Sequence, residues 1–138
     1  MKQVHILLVE DNEGDILLIT DSLNESRVIN RITILKDGEA AINFFKHLGD
    51  LKELPDLVVL DVNLPKKTGH EVLLYIKSHE SFKHLPVIML TTSSSEKDIM
   101  SAYKNYVNCY ITKPIDALDF FKAISTIENF WINIVSMP

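Results

Sequence analysis

Apolar residues along this chain fall into five short blocks, and each block is followed by a longer stretch with helical spacing. The first, Val4 to Val9, is almost wholly apolar and closes on Glu10-Asp11. A run of this kind bounded by polar residues reads as a strand buried on both faces. Asn12 can cap a helix running to about Glu25, with Ile16, Leu17, Ile19 and Leu23 as its amphipathic set. Arg31 to Lys36 alternates well enough for a second strand. Asp37-Gly38 starts the next helix, with Ala41, Phe44, Phe45 and Leu48 on its core side and Gly49 placed to end it.

The third block, Leu57-Val58-Val59-Leu60, ends abruptly on Asp61, between turn signals at Pro55-Asp56 and Asn63-Leu64-Pro65. Thr68-Gly69-His70-Glu71 is a capping box and opens a helix through about Ser78. Pro86 to Leu90 is a fourth strand, ending on Thr91-Thr92-Ser93-Ser94-Ser95, and a helix follows from Glu96 to about Asn105. The fifth strand, Asn108 to Thr112, stops at Lys113-Pro114.

The last helix is expected from Asp116 to about Val135, some twenty residues or roughly 30 Å. A typical strand spans only about 17–20 Å, so the final turns are expected to overhang the sheet. Phe120, Ile124, Ile127, Trp131 and Ile134 fall on one side of this helix. They are the expected homodimer contact, through the face of helix 4, strand 5 and helix 5. The alternative is that the end folds back on its own core.

Strands alternating with helices over short loops predict an α/β fold: a flavodoxin-like, doubly wound (βα)5 unit with a five-stranded parallel sheet in the order 2-1-3-4-5. At 138 residues the chain is expected to form one domain spanning residues 1–138. In this order strands 1 and 3 lie side by side at the topological switch point. Glu10, Asp11 and Asp61 are therefore expected to converge, with Thr91 and Lys113 on the same edge.

Composition narrows the function. A net charge of −5 argues against nucleic acid or an anionic membrane as the main partner. No apolar run approaches the roughly 20 residues of a membrane span, and the N-terminus lacks the features of a secretory signal. A single cysteine, Cys109, excludes an internal disulfide and fits a cytoplasmic protein.

Adjacent carboxylates repel one another unless a cation neutralises them, and Mg²⁺ is a natural choice for Glu10 and Asp11. Taken alone, Glu10-Asp11 also suits the positive end of a helix, and a lone Asp61 also suits a turn. No histidine among His5, His47, His70, His79 and His84 stands at a strand end beside a serine or cysteine nucleophile, and the four glycines are dispersed rather than gathered in a phosphate loop. What remains is a carboxylate able to accept a phosphoryl group, with Lys113 as a point charge and Thr91 as a hydrogen-bond donor.

Leu8-Val9-Glu10-Asp11-Asn12, Asp37-Gly38-Glu39-Ala40, Leu60-Asp61-Val62-Asn63-Leu64-Pro65, Gly69-His70-Glu71-Val72-Leu73, Pro86 to Thr91 and Tyr110-Ile111-Thr112-Lys113-Pro114 carry a resemblance. In order and spacing they resemble a bacterial response-regulator receiver domain over nearly the whole chain. The resemblance implies that Asp61 is the phosphoacceptor and that Glu10, Asp11, Asp61 and the backbone carbonyl of Asn63 hold Mg²⁺. It implies that Lys113 and Thr91 hold the phosphoryl oxygens, that Thr91 and Tyr110 form a conformational switch, and that Lys113-Pro114 is a cis peptide. Thr92 stands where the family often has a small residue, which implies slower access to the phosphoryl group. The C-terminal residues and Val107 to Tyr110 are similar to small receivers that partner cyanobacterial and bacterial phytochrome kinases, so a sensor histidine kinase is the implied partner.

With no room after residue 138 for a DNA-binding domain, a stand-alone signalling receiver is expected rather than an enzyme. Two alternatives compete. A phosphohydrolase working through an aspartyl phosphate usually needs a second acid two residues beyond the nucleophile, where this chain has Asn63. A scaffold that needs no phosphorylation would have no use for the intact set of Glu10, Asp11, Asp61, Thr91 and Lys113.

Overall fold

Leu57–Asp61 and Val87–Thr91 are buried at every position, as strands covered on both faces must be. The computed structural model describes residues 3–24, 30–50, 53–92, 96–107, 109–116, 118–120 and 122. The elements run β1 (Val4–Val9), α1 (Glu13–Asn24), β2 (Asn30–Leu35), α2 (Gly38–Lys46), β3 (Leu57–Asp61), α3 (Gly69–Lys77), β4 (Val87–Thr91), α4 (Glu96–Lys104) and β5 (Cys109–Thr112). All four strand pairings are parallel, and the order is β2-β1-β3-β4-β5, as the alternation predicts.

The two-residue period of a strand sorts the core into two layers. Leu7 and Val9, Val58 and Leu60, and Val87 and Met89 face Phe45, Val72, Ile76 and Ala102, from α2, α3 and α4. Ile6 and Leu8, Leu57 and Val59, Ile88 and Leu90, and Ile111 face Ile16, Ile19 and Leu23 of α1 together with Phe120. Fully burying each large aliphatic or aromatic side chain contributes about 1.5–3 kcal/mol, so these layers dominate the stability.

Several expectations need correction. Leu17 is 62% exposed, because Ile16, Ile19 and Leu23 already complete the inward stripe of α1 and Leu17 sits about 100° around from Ile16. Gly49 does not end α2. The helix stops at Lys46, where the His47 N–H donates to Asn43 O at 3.0 Å and the Leu48 N–H to Phe45 O at 3.3 Å. Phe120 is fully buried in the α1-side layer within one chain, so it packs the core rather than a surface offered to a second copy. Ile124, Ile127, Trp131 and Ile134, and most of the helix expected over 116–135, lie outside the described residues.

Candidate functional site

Register brings the polar strand ends together. Val9 pairs with Leu60, which sets Glu10 beside Asp61, while Asp61 pairs with Leu90 and Thr91 with Thr112. Glu10 and Asp61 continue the parity of Leu8 and Val59, and Lys113 that of Ile111, so all three belong to the face that carries α1. Thr91 continues the parity of Met89, and Tyr110, half-buried, packs against the layer under α2, α3 and α4. The charged groups and the expected switch pair thus stand on opposite faces of one sheet edge.

Local structure holds each group in place. Asn12 caps α1, its Oδ1 accepting the Asp15 N–H at 2.9 Å. Glu10 is fully buried, and its Oε2 accepts the N–H groups of Asp11 at 3.0 Å and Asn12 at 3.2 Å. Asp61 is 2% exposed and its Oδ1 accepts the Asn63 N–H at 3.2 Å. Thr91 is buried, and its carbonyl accepts the Lys113 N–H at 2.5 Å. The Lys113-Pro114 peptide is cis.

Two glycines fit the β3–α3 loop to its surroundings. A Cβ on Gly69 would lie 2.3 Å from Asp61 O, and the Gly69 N–H donates to Val62 O at 2.9 Å, so α3 starts directly against the end of β3. A Cβ on Gly38 would lie 1.9 Å from Lys67 O, and the Gly38 N–H donates to Pro65 O at 3.2 Å. Thr68 caps α3, accepting the Glu71 N–H at 3.2 Å. Asn63 Nδ2 donates to Thr92 Oγ1 at 3.0 Å, linking this loop to the end of β4.

The Lys113 ammonium lies 2.7 Å from Glu10 Oε1, 2.8 Å from Asp15 Oδ2 and 3.4 Å from Asp61 Oδ2. Burial pushes the Glu10 carboxyl up to about 7; the Lys113 hydrogen bond opposes this, and the neighbouring Asp61 carboxylate adds to it. Burial works against the Lys113 ammonium as well, but its bonds to Asp15 and Glu10 and the charge of Asp61 outweigh it and raise its pKa. The two shifts differ in origin. A single ammonium among three carboxylates stays charged, while the most deeply buried acid resists ionisation.

Carboxylate oxygens of Glu10, Asp11 and Asp61 lie within 4.8 Å of one another. Opposite ligands of an octahedral Mg²⁺ are about 4.2 Å apart, so the trio is spaced for a hard divalent cation with small adjustments or a bridging water. Sequence reasoning misses Asp15. Its signal was its place in the first turn of the helix that leaves the acidic end of β1. None of the described histidines approaches this cluster through a hydrogen bond. His5 is bonded to Glu53 O at 3.1 Å and Thr33 Oγ1 at 2.8 Å, and burial, helped by the Arg31 charge, lowers its pKa.

The sequence pattern of the response regulator receiver domain matches residues 6–125. The chain belongs to the receiver family. The receiver is 43% identical to response regulator Rcp1 of Synechocystis sp. over 135 residues, 96% of this chain and 92% of that protein. It is 41% identical to the probable methanogenesis regulatory protein FilR2 of Methanothrix harundinacea over 128 residues, 92% of this chain and 83% of that one. Among solved structures, the receiver is similar to the Mn²⁺-bound form of Rcp1, with a TM-score of 0.80, 42% identity, and 98% of this chain and 99% of that chain covered. It is equally similar to the phosphorylated cyanobacterial phytochrome response regulator RcpA, with a TM-score of 0.81, 41% identity and 99% of both chains covered. The receiver is a two-component response regulator by this kinship, and the sheet order read from its sequence is the one its structure has. Among the described residues no helix is long and apolar enough to cross a membrane.

Proposed function

We propose that this receiver takes a phosphoryl group from a sensor histidine kinase onto Asp61, with Mg²⁺ as cofactor, and signals through Thr91 and Tyr110 by protein contacts. The observation that carries the reading is Asp61 itself. It is a carboxylate that ends a fully buried strand, 3.4 Å from an ammonium and in one cluster with two further acids.

In the transfer, an Asp61 carboxylate oxygen forms a bond to phosphorus while the bond from phosphorus to the donor imidazole nitrogen breaks. The bonding pair stays on that nitrogen, which takes up a proton, and Asp61 becomes an acyl phosphate. Asp11, Asp61 and the Asn63 carbonyl would hold Mg²⁺, which when bound would offset negative charge on the phosphoryl oxygens. Glu10, whose two oxygens already accept backbone N–H groups and Lys113, would join them directly or through water. Lys113 supplies a charge-assisted hydrogen bond to one phosphoryl oxygen and the Thr91 hydroxyl a hydrogen bond to another. Movement of Thr91 toward the new group leaves room for Tyr110 on the same face to turn inward, which makes the strand end a two-state element.

A phytochrome-type kinase is the proposed donor, on the strength of 41% identity to a phytochrome response regulator over 99% of both chains. The proposed assembly is a cytoplasmic homodimer through α4, β5 and the C-terminal segment; exposed Met100, Tyr103 and Tyr106 favour that face. Asn63 offers no carboxyl group to activate water, which favours a signalling role over turnover of a substrate. The test is the intact mass after incubation with Mg²⁺ and acetyl phosphate or beryllofluoride. One adduct on the wild-type protein, dependent on Mg²⁺ and absent from Asp61→Asn, is expected. Failure to take either group would leave the scaffold reading in its place.

A further inference from the structure

A lysine ammonium has three N–H donors. Lys113 directs them among three carboxylates from three different elements: Glu10 at the end of β1, Asp15 in the first turn of α1 and Asp61 at the end of β3. Glu10 and Asp61 belong to the cluster spaced for a cation, and Asp15 does not. A metal ion or a phosphoryl group at Asp61 changes both of the partners that Lys113 shares with that cluster. Asp15 is the contact that neither one claims.

We propose that Asp15 is a positioning residue for Lys113, holding the ammonium at the rim of the pocket so that it meets the phosphoryl oxygen once Glu10 and Asp61 are engaged. The proposal rests on the phosphoacceptor reading above and deepens it. The geometry is firm at both ends. The Asp15 N–H is fixed to Asn12 Oδ1 at 2.9 Å, and the Lys113 N–H to Thr91 O at 2.5 Å. Lys113 shares the parity of Ile111, so its side chain leaves β5 on the α1 side, where Asp15 waits. Side-chain exposures of 11% for Lys113 and 26% for Asp15 keep this pair out of the class of fully hydrated ion pairs that contribute little.

The sign of one substitution separates positioning from simple charge. A carboxylate acting only through its field repels an incoming anion, so its removal tightens anion binding. A carboxylate that positions the lysine does the opposite. The experiment is a beryllofluoride titration at saturating Mg²⁺, with wild type, Asp15→Ala, Asp15→Asn and, as a control, Asp21→Ala, an exposed acid on the same helix. Melting midpoints of all variants are recorded alongside. We expect Asp15→Ala to weaken beryllofluoride binding about tenfold, the size of one charge-assisted hydrogen bond, with Asp15→Asn intermediate and Asp21→Ala unchanged. In a Lys113→Met background, Asp15→Ala should no longer weaken binding. Unchanged or tighter binding by both Asp15 variants, or an equal loss in the Lys113→Met background, overturns the proposal and leaves the phosphoacceptor reading intact. A wild-type protein that binds no beryllofluoride overturns both.

Discussion

Replacing Asp61 with asparagine removes one of three carboxylates gathered on a single ammonium, and in metal-free protein this should raise stability. The size follows from Glu10. Its carboxyl stands at about 7 against an ordinary 4.5, so holding it ionised above pH 7 costs about 3 kcal/mol at 1.36 kcal/mol per pH unit. Burial is the largest part of that cost and stays in the variant. The part due to Asp61 is relieved, and the loss of the Lys113–Asp61 attraction, the longest of the three contacts at 3.4 Å, offsets some of the gain. The net expectation is about 1 kcal/mol, or roughly 3–5 °C in melting midpoint for a domain of this size. The asparagine oxygen can still accept the Asn63 N–H, so no hydrogen bond need be lost. The assay is thermal unfolding in EDTA at pH 8 and again at pH 5.5, where Glu10 is protonated and the gain should vanish. Destabilisation of equal size at both pH values would refute the reasoning, because it would mean that Lys113–Asp61 attraction outweighs the crowding of acids.

The raised pKa of Glu10 also sets a pH dependence. Folded Glu10 binds more protons than unfolded Glu10 between about pH 4.5 and 7, so its contribution to metal-free stability is fully present below that window and falls as pH rises through it, by up to about 3 kcal/mol. Mg²⁺ binding near pH 6 should release part of a proton, read by calorimetry in buffers of different ionisation enthalpy; no buffer dependence would dissociate Glu10 from the metal. Gly69→Ala places a Cβ 2.3 Å from Asp61 O and should cost roughly 2–3 kcal/mol while weakening Mg²⁺ binding, whereas Gly49→Ala, with nothing within 4 Å, should leave Mg²⁺ binding unchanged. Equal effects would mean that the β3–α3 junction does not set the metal site. Phe120→Ala should lower unfolding free energy by about 3–5 kcal/mol in denaturant titrations, as a core truncation does. A sedimentation change without that loss would restore Phe120 to an interface.

Much of the fold is legible in the sequence because a parallel sheet demands near-continuous apolar runs, and each run here ends on a polar residue at the edge where the site forms. Glu10, Asp11, Asp61, Thr91 and Lys113 could be gathered once strand order was inferred, since parallel strands carry their C-terminal ends to the same side. What escaped depends on distances that periodicity does not encode. Leu17 is as apolar as its neighbours and differs only in its angle about α1. Phe120 reads the same on a covered or an open face until α1 is placed beside it. Asp15 resembles any acid in a first helical turn, and its value lies in the reach of a lysine almost a hundred residues away. Gly49 follows a helix that the His47 and Leu48 amides had already closed.

The parity that sends Glu10, Asp61 and Lys113 to one face of the sheet and Thr91 and Tyr110 to the other has a consequence for how such a protein diversifies. On the proposed reading, exposed residues of α4 such as Met100 and Tyr103 can be exchanged to suit a new partner without altering Glu10, Asp61 or Lys113. Conversely, a change at Asp15 alters the surroundings of Lys113 on the α1 side without touching the exposed face of α4. On that reading, chemistry and address lie on different sides of the same five strands, and selection can act on each separately.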